Sequence, residues 1–239
     1  MGRLRLQLFL ARAGVASRRA AERLIAEGHV CVNGSAVRTQ GVKIDPVSDR
    51  VEVNGQRIHP APQAKRYFLF HKPAGVVTTL KDKHAEKTVA DYFQDIPEKL
   101  VPAGRLDKDS TGLLLLTNDG DLIHRLTHPR YGVEKVYRVK IKPPLPVEAI
   151  ERLKKGVPLY GKETAPCKIK VVSQNPRSME LLMTLHEGKK REIREMIKSA
   201  GSSVTALHRD SYGPLQLGKL ARGERRELGT KEANQLKAV

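Results

Sequence analysis

The sequence is poor in residues that stabilise small secreted proteins or hold cofactors. Its 239 residues include no tryptophan, two cysteines and an aromatic content of 4%. Cys31 and Cys167 are isolated and form no CxxC pair, which excludes a disulfide framework and is typical of the reducing cytoplasm. The sequence contains no GxxxxGKS/T loop, no GxGxxG loop and no HExxH pair, so we expect neither a nucleotide cofactor nor a metal ion.

Long apolar runs and negative charge are also scarce. The longest apolar run is four leucines at residues 113–116, far short of the roughly 20 residues that span a bilayer. Against 26 Asp and Glu stand 44 Lys and Arg, which gives a formal net charge of +18. In a chain with 39% hydrophobic residues, this excess indicates a folded protein with a polyanionic partner, either nucleic acid or an anionic membrane surface.

The patterning predicts two domains, at residues 1–62 and 63–239, joined by a proline-containing linker. Apolar spacing in the first domain predicts two short helices, the second of them capped by Ser17. Two Asn-Gly dipeptides, at residues 33–34 and 54–55, predict hairpin turns after these helices.

The second domain mixes strands and helices. Helices are predicted at about residues 146–156 and 189–201, and strands at 113–117, 136–141, 169–172 and 179–185. Because these elements lack a regular βαβ rhythm, the sequence predicts an α+β fold rather than a doubly wound parallel sheet.

Basic side chains crowd the two N-terminal helices. Four arginines lie there: Arg12, Arg18, Arg19 and Arg23. Charged runs are most often solvated surface, but here only Glu22 and Glu27 oppose the arginines. With few aromatic rings for stacking, we expect RNA recognition through phosphate contacts and shape. The helices are short and lack a Trp-rich apolar face, which argues against a membrane surface.

The same stretch has a family resemblance. Residues 5–19 (RLQLFLARAGVASRR) and 32–34 (VNG) resemble the S-four RNA-binding domain, which would cover about residues 3–50. The resemblance implies an RNA partner, with RNA-binding roles for the four arginines. Since this domain occurs both in RNA enzymes and in non-catalytic ribosome-associated proteins, the reaction must be inferred from the second domain.

An acidic loop is the strongest candidate for chemistry. It contains Asp107 and Asp109 and leads into the four leucines, after which comes Asp119. Loop aspartates are most often turn formers that bond local backbone amides, and Asp109 and Asp119 fit that interpretation. Asp107 differs because Arg105 precedes it by two residues and a rigid apolar strand follows. A carboxylate held in this way can act as a nucleophile or as a base.

The loop also carries the main resemblance. Residues 104–107 (GRLD) and 111–120 (TGLLLLTNDG) are similar to the catalytic motif of RNA pseudouridine synthases of the RsuA/RluB family. Further similar segments are 72–76 (KPAGV), 134–137 (EKVY), 164–166 (TAP), 187–194 (EGKKREIR) and 207–209 (LHR). The resemblance implies a pseudouridine synthase fold, with a mixed, largely antiparallel sheet flanked by helices.

The family implies roles for individual residues. Asp107 would be the essential carboxylate, Tyr137 would stack on the flipped uracil, and Arg194 would pair with Asp107. The implied substrate contacts are Arg105, Lys72, Lys189 and Arg191. The implied reaction breaks the N-glycosidic bond of uridine and rejoins uracil through C5, which requires neither a cofactor nor a metal.

The resemblance also implies a partner. We expect ribosomal RNA, with 23S rRNA favoured over 16S rRNA, and a monomer acting on free RNA or on a partly assembled subunit. The alternative is a non-catalytic ribosome-assembly protein on the same fold.

Overall fold

The computed structural model describes residues 2–59 and 64–239, and the chain divides after Ala64 into two compact units. The predicted domain boundary and most of the predicted linker fall on residues 60–63, outside the described residues. Each unit has a hydrophobic core of its own.

The N-terminal unit combines two helices with short strands. Its elements are β1 (Leu4–Arg5), α1 (Leu6–Arg12), α2 (Arg18–Ala26), β2 (Val30–Val32), β3 (Ser35–Ala36), β4 (Lys43–Ile44), β5 (Val51–Val53) and β6 (Gln56–Arg57). Four strands form an antiparallel sheet in the order β3-β2-β5-β6, and β1 pairs with β4. Apolar residues spaced by one helical turn bury one face of α1 and α2 against these strands.

The local signals of this unit act as predicted. Ser17 Oγ accepts a hydrogen bond from the Ala20 amide (3.2 Å), which satisfies a free donor at the start of α2. Asn33 and Asn54 adopt left-handed conformations (φ 52° and 49°) in the two hairpin turns. Both predicted helices and both predicted hairpins are therefore confirmed.

The C-terminal unit is built on one large sheet. Its strands are β7 (Tyr67–Lys72), β8 (Val101–Pro102), β9 (Thr111–Thr117), β10 (Lys135–Lys142), β11 (Pro158–Leu159), β12 (Lys162–Glu163), β13 (Lys168–Asn175), β14 (Ser178–Leu185), β15 (Ser203–Tyr212), β16 (Leu215–Gln216) and β17 (Arg225–Glu227). Its helices are α3 (Gly120–Thr127), α4 (Val147–Lys155), α5 (Glu192–Ser199) and α6 (Thr230–Lys237), with 3-10 turns at Val89–Tyr92 and Pro129–Tyr131.

The sheet is mixed and largely antiparallel, as predicted. Its order is β13-β14-β10-β15-β9-β7-β17, with β16 beside β15 and β8 beside β9. Among these ladders only β9 and β15 run parallel, with Thr111 opposite His208 and Gly112 opposite Arg209. This short parallel pairing, called the seam below, joins the strands β13, β14, β10 and β15 to the strands β9, β7 and β17. Gly112 is required there because its φ is +110° and a Cβ would lie 2.4 Å from the Arg209 carbonyl oxygen.

Helices pack against the sheet on both sides of the seam. The helices α4 and α5 contribute to one core with β10, β13 and β14, whereas α3 and α6 contribute to a second core with β7 and β9. The leucines of β9 alternate between the second core (Leu113, Leu115) and a phenylalanine-rich third core (Leu114, Leu116). Both faces of β9 are therefore buried, which explains its uninterrupted apolar run.

One predicted helix starts later than expected. The pattern predicted a helix from about residue 189, but α5 begins at Glu192. Arg191 adopts a left-handed conformation (φ 52°), which no helical residue can have, and so it ends the preceding loop. The shift leaves residues 187–191 as a loop beside the acidic segment.

Candidate active site

The acidic loop lies between β8 and β9 and is fixed by hydrogen bonds. The Ser110 amide donates to the Asp107 carbonyl (3.0 Å), which closes a turn. Thr78 Oγ1 donates to the Leu106 carbonyl (2.7 Å) and accepts from the Leu106 amide (3.3 Å). Because Leu106 is held on both sides, the next residue, Asp107, is presented from a rigid support.

Lys72 stabilises this loop from inside. Its side chain is fully buried, and Nζ donates to the carbonyls of Pro73 (3.0 Å), Lys108 (3.3 Å) and Ser110 (2.8 Å). Burial lowers the pKa of Lys72 to about 8, although the nearby carboxylates of Asp109 and Asp107 raise it in part. The structure therefore places the Lys72 ammonium group inside the loop that it supports, and Lys72 does not line the groove described below.

Asp107 faces two arginines across a groove. Its side chain is 33% exposed, and Oδ2 lies 3.7 Å from Arg191 Nη1 and 3.7 Å from Arg194 Nε. Both arginines come from the segment around the start of α5. The structure therefore brings Asp107 and Arg194 together, but at a distance longer than a direct charge-assisted hydrogen bond.

The shortest carboxylate contact of Arg194 is with Asp109. Arg194 Nη2 lies 2.8 Å from Asp109 Oδ2 and 3.4 Å from Ser110 Oγ, and its side chain is 12% exposed. The interpretation of Asp109 as a local turn former is therefore incomplete, because its carboxylate joins the loop to α5. Asp119, by contrast, caps α3 by accepting from the Leu122 amide (3.3 Å), as expected of a turn former.

Tyr137 lies on β10 with its ring partly buried against the core. A buried arginine on the neighbouring strand supports it, since Arg209 Nη1 lies 3.5 Å from the Tyr137 hydroxyl. Arg209 is 2% exposed and its Nε donates to the Leu113 carbonyl (2.7 Å). Sequence reasoning gave Arg209 no role, and its only signal was its place in the LHR segment.

Asp107, Tyr137 and Arg191 line one groove of about 440 Å³. Its lining includes Asp107 and Tyr137, an apolar part from Leu185, Ile193 and Leu207, and the basic residues Arg105, Lys189 and Arg191. A second hollow of about 590 Å³ shares Asp107, Arg105 and Arg191 with the first. Asp107 therefore stands between two adjoining hollows that together form an extended basic cleft.

The predicted substrate contacts in the groove differ in their exposure and in the partners that they already have. Arg105 is exposed, and the Arg191 side chain is 43% exposed. Lys189 Nζ is already engaged by the Glu163 carbonyl (2.7 Å) and the Glu187 carboxylate (3.0 Å). Arg105 and Arg191 are thus better placed than Lys189 to bind an anionic ligand.

Two carboxyl groups lie together in the wall of the groove. Glu192 is 4% exposed; its Oε2 accepts from the Lys189 amide (3.0 Å), and no donor in the described part of the chain reaches its buried Oε1. Burial, together with the neighbouring Glu187, raises the pKa of Glu192 to about 8. Burial raises the pKa of Glu187, but hydrogen bonds with Glu192, the Ala165 amide and Lys189 lower it on balance. The pair therefore holds one proton near neutral pH.

The predicted RNA-binding arginines lie in the N-terminal unit. Arg12 is at the end of α1, and Arg18, Arg19 and Arg23 are on α2, all with exposed side chains. Arg19 and Arg23 are four residues apart and share one face of α2. Arg19 and Arg23 therefore lie on the side of α2 that faces away from the buried Ala21 and Ile25.

Within residues 2–59 and 64–239, no group of three or more His, Cys, Asp or Glu side chains is arranged to hold a metal ion. Over the same residues, no helix has the length and apolar character needed to cross a membrane.

The whole chain is similar to known proteins. The family profile described as RNA pseudouridylate synthase matches residues 66–199, and the S4 domain profile matches residues 4–51. Ribosomal large subunit pseudouridine synthase B of Bacillus subtilis is 43% identical, over 98% of this chain and 96% of the relative. An uncharacterized RNA pseudouridine synthase of Aquifex aeolicus is 42% identical, over 100% of this chain and 96% of the relative.

A solved structure is also similar over the full length. A crystal structure of pseudouridylate synthase matches with a TM-score of 0.70 and 31% identity, covering 98% of this chain and 99% of that one. Sequence and fold agree along both units, and so the chain belongs to the RNA pseudouridine synthase family, with an N-terminal S4 domain.

Proposed function

We propose that this chain converts uridine to pseudouridine at a site in 23S ribosomal RNA, with Asp107 as the catalytic carboxylate. The observation that carries the proposal is the groove itself, in which Asp107 and Tyr137 face one space lined by basic side chains. The choice of 23S rRNA rests on the Bacillus subtilis relative, whose name assigns it to the large ribosomal subunit.

The reaction is an isomerisation that needs no co-reactant. The bond between ribose C1′ and uracil N1 breaks, the ring rotates, and a new bond forms between C1′ and C5. N1 gains a proton and C5 loses one, so atoms and electrons balance. The protein must therefore supply a positioned carboxylate, a surface for the detached ring and a site that keeps water out.

Asp107 is placed to supply the carboxylate. It adds to the ribose or to the base, and either variant requires a negative charge held at a fixed position. The guanidinium groups of Arg191 and Arg194, each 3.7 Å away, attract that charge and fix its orientation. Asp109 keeps Arg194 in place through its 2.8 Å contact.

Tyr137 supplies a surface for the uracil. A base inside a folded RNA must leave its stack to reach this groove, at a cost of roughly a few kcal/mol. Stacking on the Tyr137 ring offsets part of that cost, and Arg209 holds the ring in position from the buried side. The apolar side chains of Leu185, Ile193 and Leu207 exclude water from the same space.

Basic side chains bind the RNA backbone around this point. Arg105 and Arg191 bind phosphates next to the flipped nucleotide, whereas the four arginines of α1 and α2 dock the RNA through the S4 domain. We propose that the protein acts as a cytoplasmic monomer on free 23S rRNA or on a partly assembled subunit.

The test uses unmodified 23S and 16S rRNA transcripts carrying tritium at uracil C5. We expect the wild-type protein to release tritium from the 23S transcript, because C5 loses its hydrogen in the reaction. Asp107→Asn keeps the size of the side chain and should abolish release while changing RNA affinity by less than about threefold. The matched control is Asp82→Asn, which alters an exposed loop aspartate bonded to the His84 amide.

Each outcome discriminates between functions. Release from the 16S transcript alone would show that the substrate is 16S rRNA rather than 23S rRNA. Full activity of Asp107→Asn would contradict the catalytic assignment. Tight binding of 23S rRNA without release, on the transcript and on partly assembled subunits alike, would favour a non-catalytic assembly protein.

A further inference from the structure

Three exposed rings meet at the end of α3 and in the 3-10 turn after it. The rings of His124 and His128 are 5.2 Å apart, and Tyr131 lies 5.8 Å from His124 and 6.3 Å from His128. The guanidinium group of Arg130 stacks on the Tyr131 ring at 4.5 Å and hydrogen-bonds its hydroxyl. We call His124, His128 and Tyr131 the ring cluster.

The ring cluster does not contribute to the core. The chain has ten phenylalanines and tyrosines, and all four phenylalanines are buried. His124 and His128 are exposed, Tyr131 is 37% exposed, and none of the three belongs to a hydrophobic core of the described residues. The ring cluster therefore presents three neighbouring rings to solvent.

The segment that carries the ring cluster lies next to residues at the edge of the active-site groove. His186 Nδ1 lies 2.9 Å from the Gly132 carbonyl, and His186 directly precedes the groove residue Glu187. On the other wall, the methyl group of Thr127 lies 3.6 Å from the position that a Cβ would take at Gly104. Residues on either side of the ring cluster, Thr127 and Gly132, therefore lie close to the loops that line the groove.

We propose that the ring cluster is a stacking platform for the unpaired RNA bases that flank the flipped uridine. The proposal rests on the proposed function. When the target nucleotide leaves its stack, the neighbouring bases lose a stacking partner, and exposed rings can replace it. Every base has a π-face, so such a platform binds single-stranded RNA with little dependence on sequence.

The charges around the ring cluster favour RNA over other partners. Arg130 lies against Tyr131, where it can bind the phosphate next to a stacked base while its plane extends the stacking surface. The net charge of +18 also favours a polyanion.

The test measures binding of the unmodified 23S rRNA transcript at several KCl concentrations. The variant His124→Gln/His128→Asn/Tyr131→Leu removes all three rings, and the asparagine keeps an acceptor where His128 Nδ1 accepts from the Arg130 amide. We expect about tenfold weaker binding at every salt concentration, because stacking of one base is worth about one order of magnitude in affinity. The slope of log K against log[KCl] should not change, since the variant keeps every lysine and arginine that binds phosphate.

Three further variants control for folding and charge. Tyr131→Leu alone should weaken binding in the same direction, and Tyr131→Phe, which keeps the ring, should bind like the wild type. Arg177→Ala removes an exposed positive charge from the turn between β13 and β14 and should also bind like the wild type.

Unchanged affinity of the triple variant would overturn the proposal and would point to a protein partner, which naked RNA does not test. A weaker Tyr131→Phe, or a changed salt slope, would also overturn it. Tritium release by the wild-type protein reports on the proposed function separately, because binding to the ring cluster does not require isomerisation.

Discussion

Replacing Glu192 with glutamine will change how the stability of the C-terminal unit depends on pH. Glu192 is buried beside Glu187, and its pKa is raised to about 8 from an ordinary value of 4.5. Between these two values the folded protein keeps a proton that the unfolded chain releases. The contribution of Glu192 to the free energy of unfolding therefore falls as pH rises through this window.

The size of the effect follows from the single proton. A difference of one bound proton changes the free energy of unfolding by about 1.4 kcal/mol for each pH unit. For a unit of this size, 1 kcal/mol shifts Tm by about 2–4 °C. The wild type should therefore lose about 3–6 °C relative to Glu192→Gln for each pH unit between 5.5 and 7.5.

The assay is differential scanning calorimetry of the wild type and the variant at pH 5.5, 6.5 and 7.5. Glu148→Gln serves as the matched control because it removes an exposed carboxylate from the first turn of α4. That variant should melt in parallel with the wild type. If the Glu192→Gln and wild-type curves also stay parallel, the two carboxyl groups do not share a proton, and the reasoning about this pair is refuted.

Two further predictions concern docking and the sheet. Replacing Arg18, Arg19 and Arg23 by glutamine should weaken binding of 23S rRNA, as measured by filter binding at several KCl concentrations. The slope of log K against log[KCl] should become shallower by about 0.7–0.9 for each phosphate that these arginines neutralise. An unchanged slope would contradict the docking role. Gly112→Ala should cost more than about 3 kcal/mol of stability and remove tritium release, because the new Cβ would overlap the backbone of β15. Gly120→Ala is the control, since nothing lies within 4 Å of a Cβ at that position; equal melting temperatures of the two variants would show that the seam tolerates a side chain.

Local patterns predicted most of the fold. The helices α1, α2 and α4 and both N-terminal hairpins follow apolar spacing, caps and Asn-Gly turns, all of which act over a few residues. The start of α5 was predicted three residues too early, because the left-handed conformation of Arg191 depends on the surrounding loop rather than on its own sequence.

The site was predictable only in part. The resemblance pointed to Asp107, Tyr137 and Arg194, and the structure brings these three residues to one place. The sequence did not indicate that the loop encloses Lys72. Nor did it indicate that Asp109 contacts Arg194, a residue 85 positions later. Such contacts leave no periodic signal, since each depends on how distant strands pair in space.

The parallel seam between β9 and β15 affects the order in which parts of the protein form during synthesis. The Arg209–Leu113 hydrogen bond across it joins residues 96 positions apart, and contacts of such sequence separation form slowly because a long loop must close first. During synthesis, the S4 helices and the Asp107 loop leave the ribosome long before β15 exists. Under the proposed function, RNA docking can therefore precede isomerisation, because the S4 helices are made before β15 adds Leu207 to the lining of the groove.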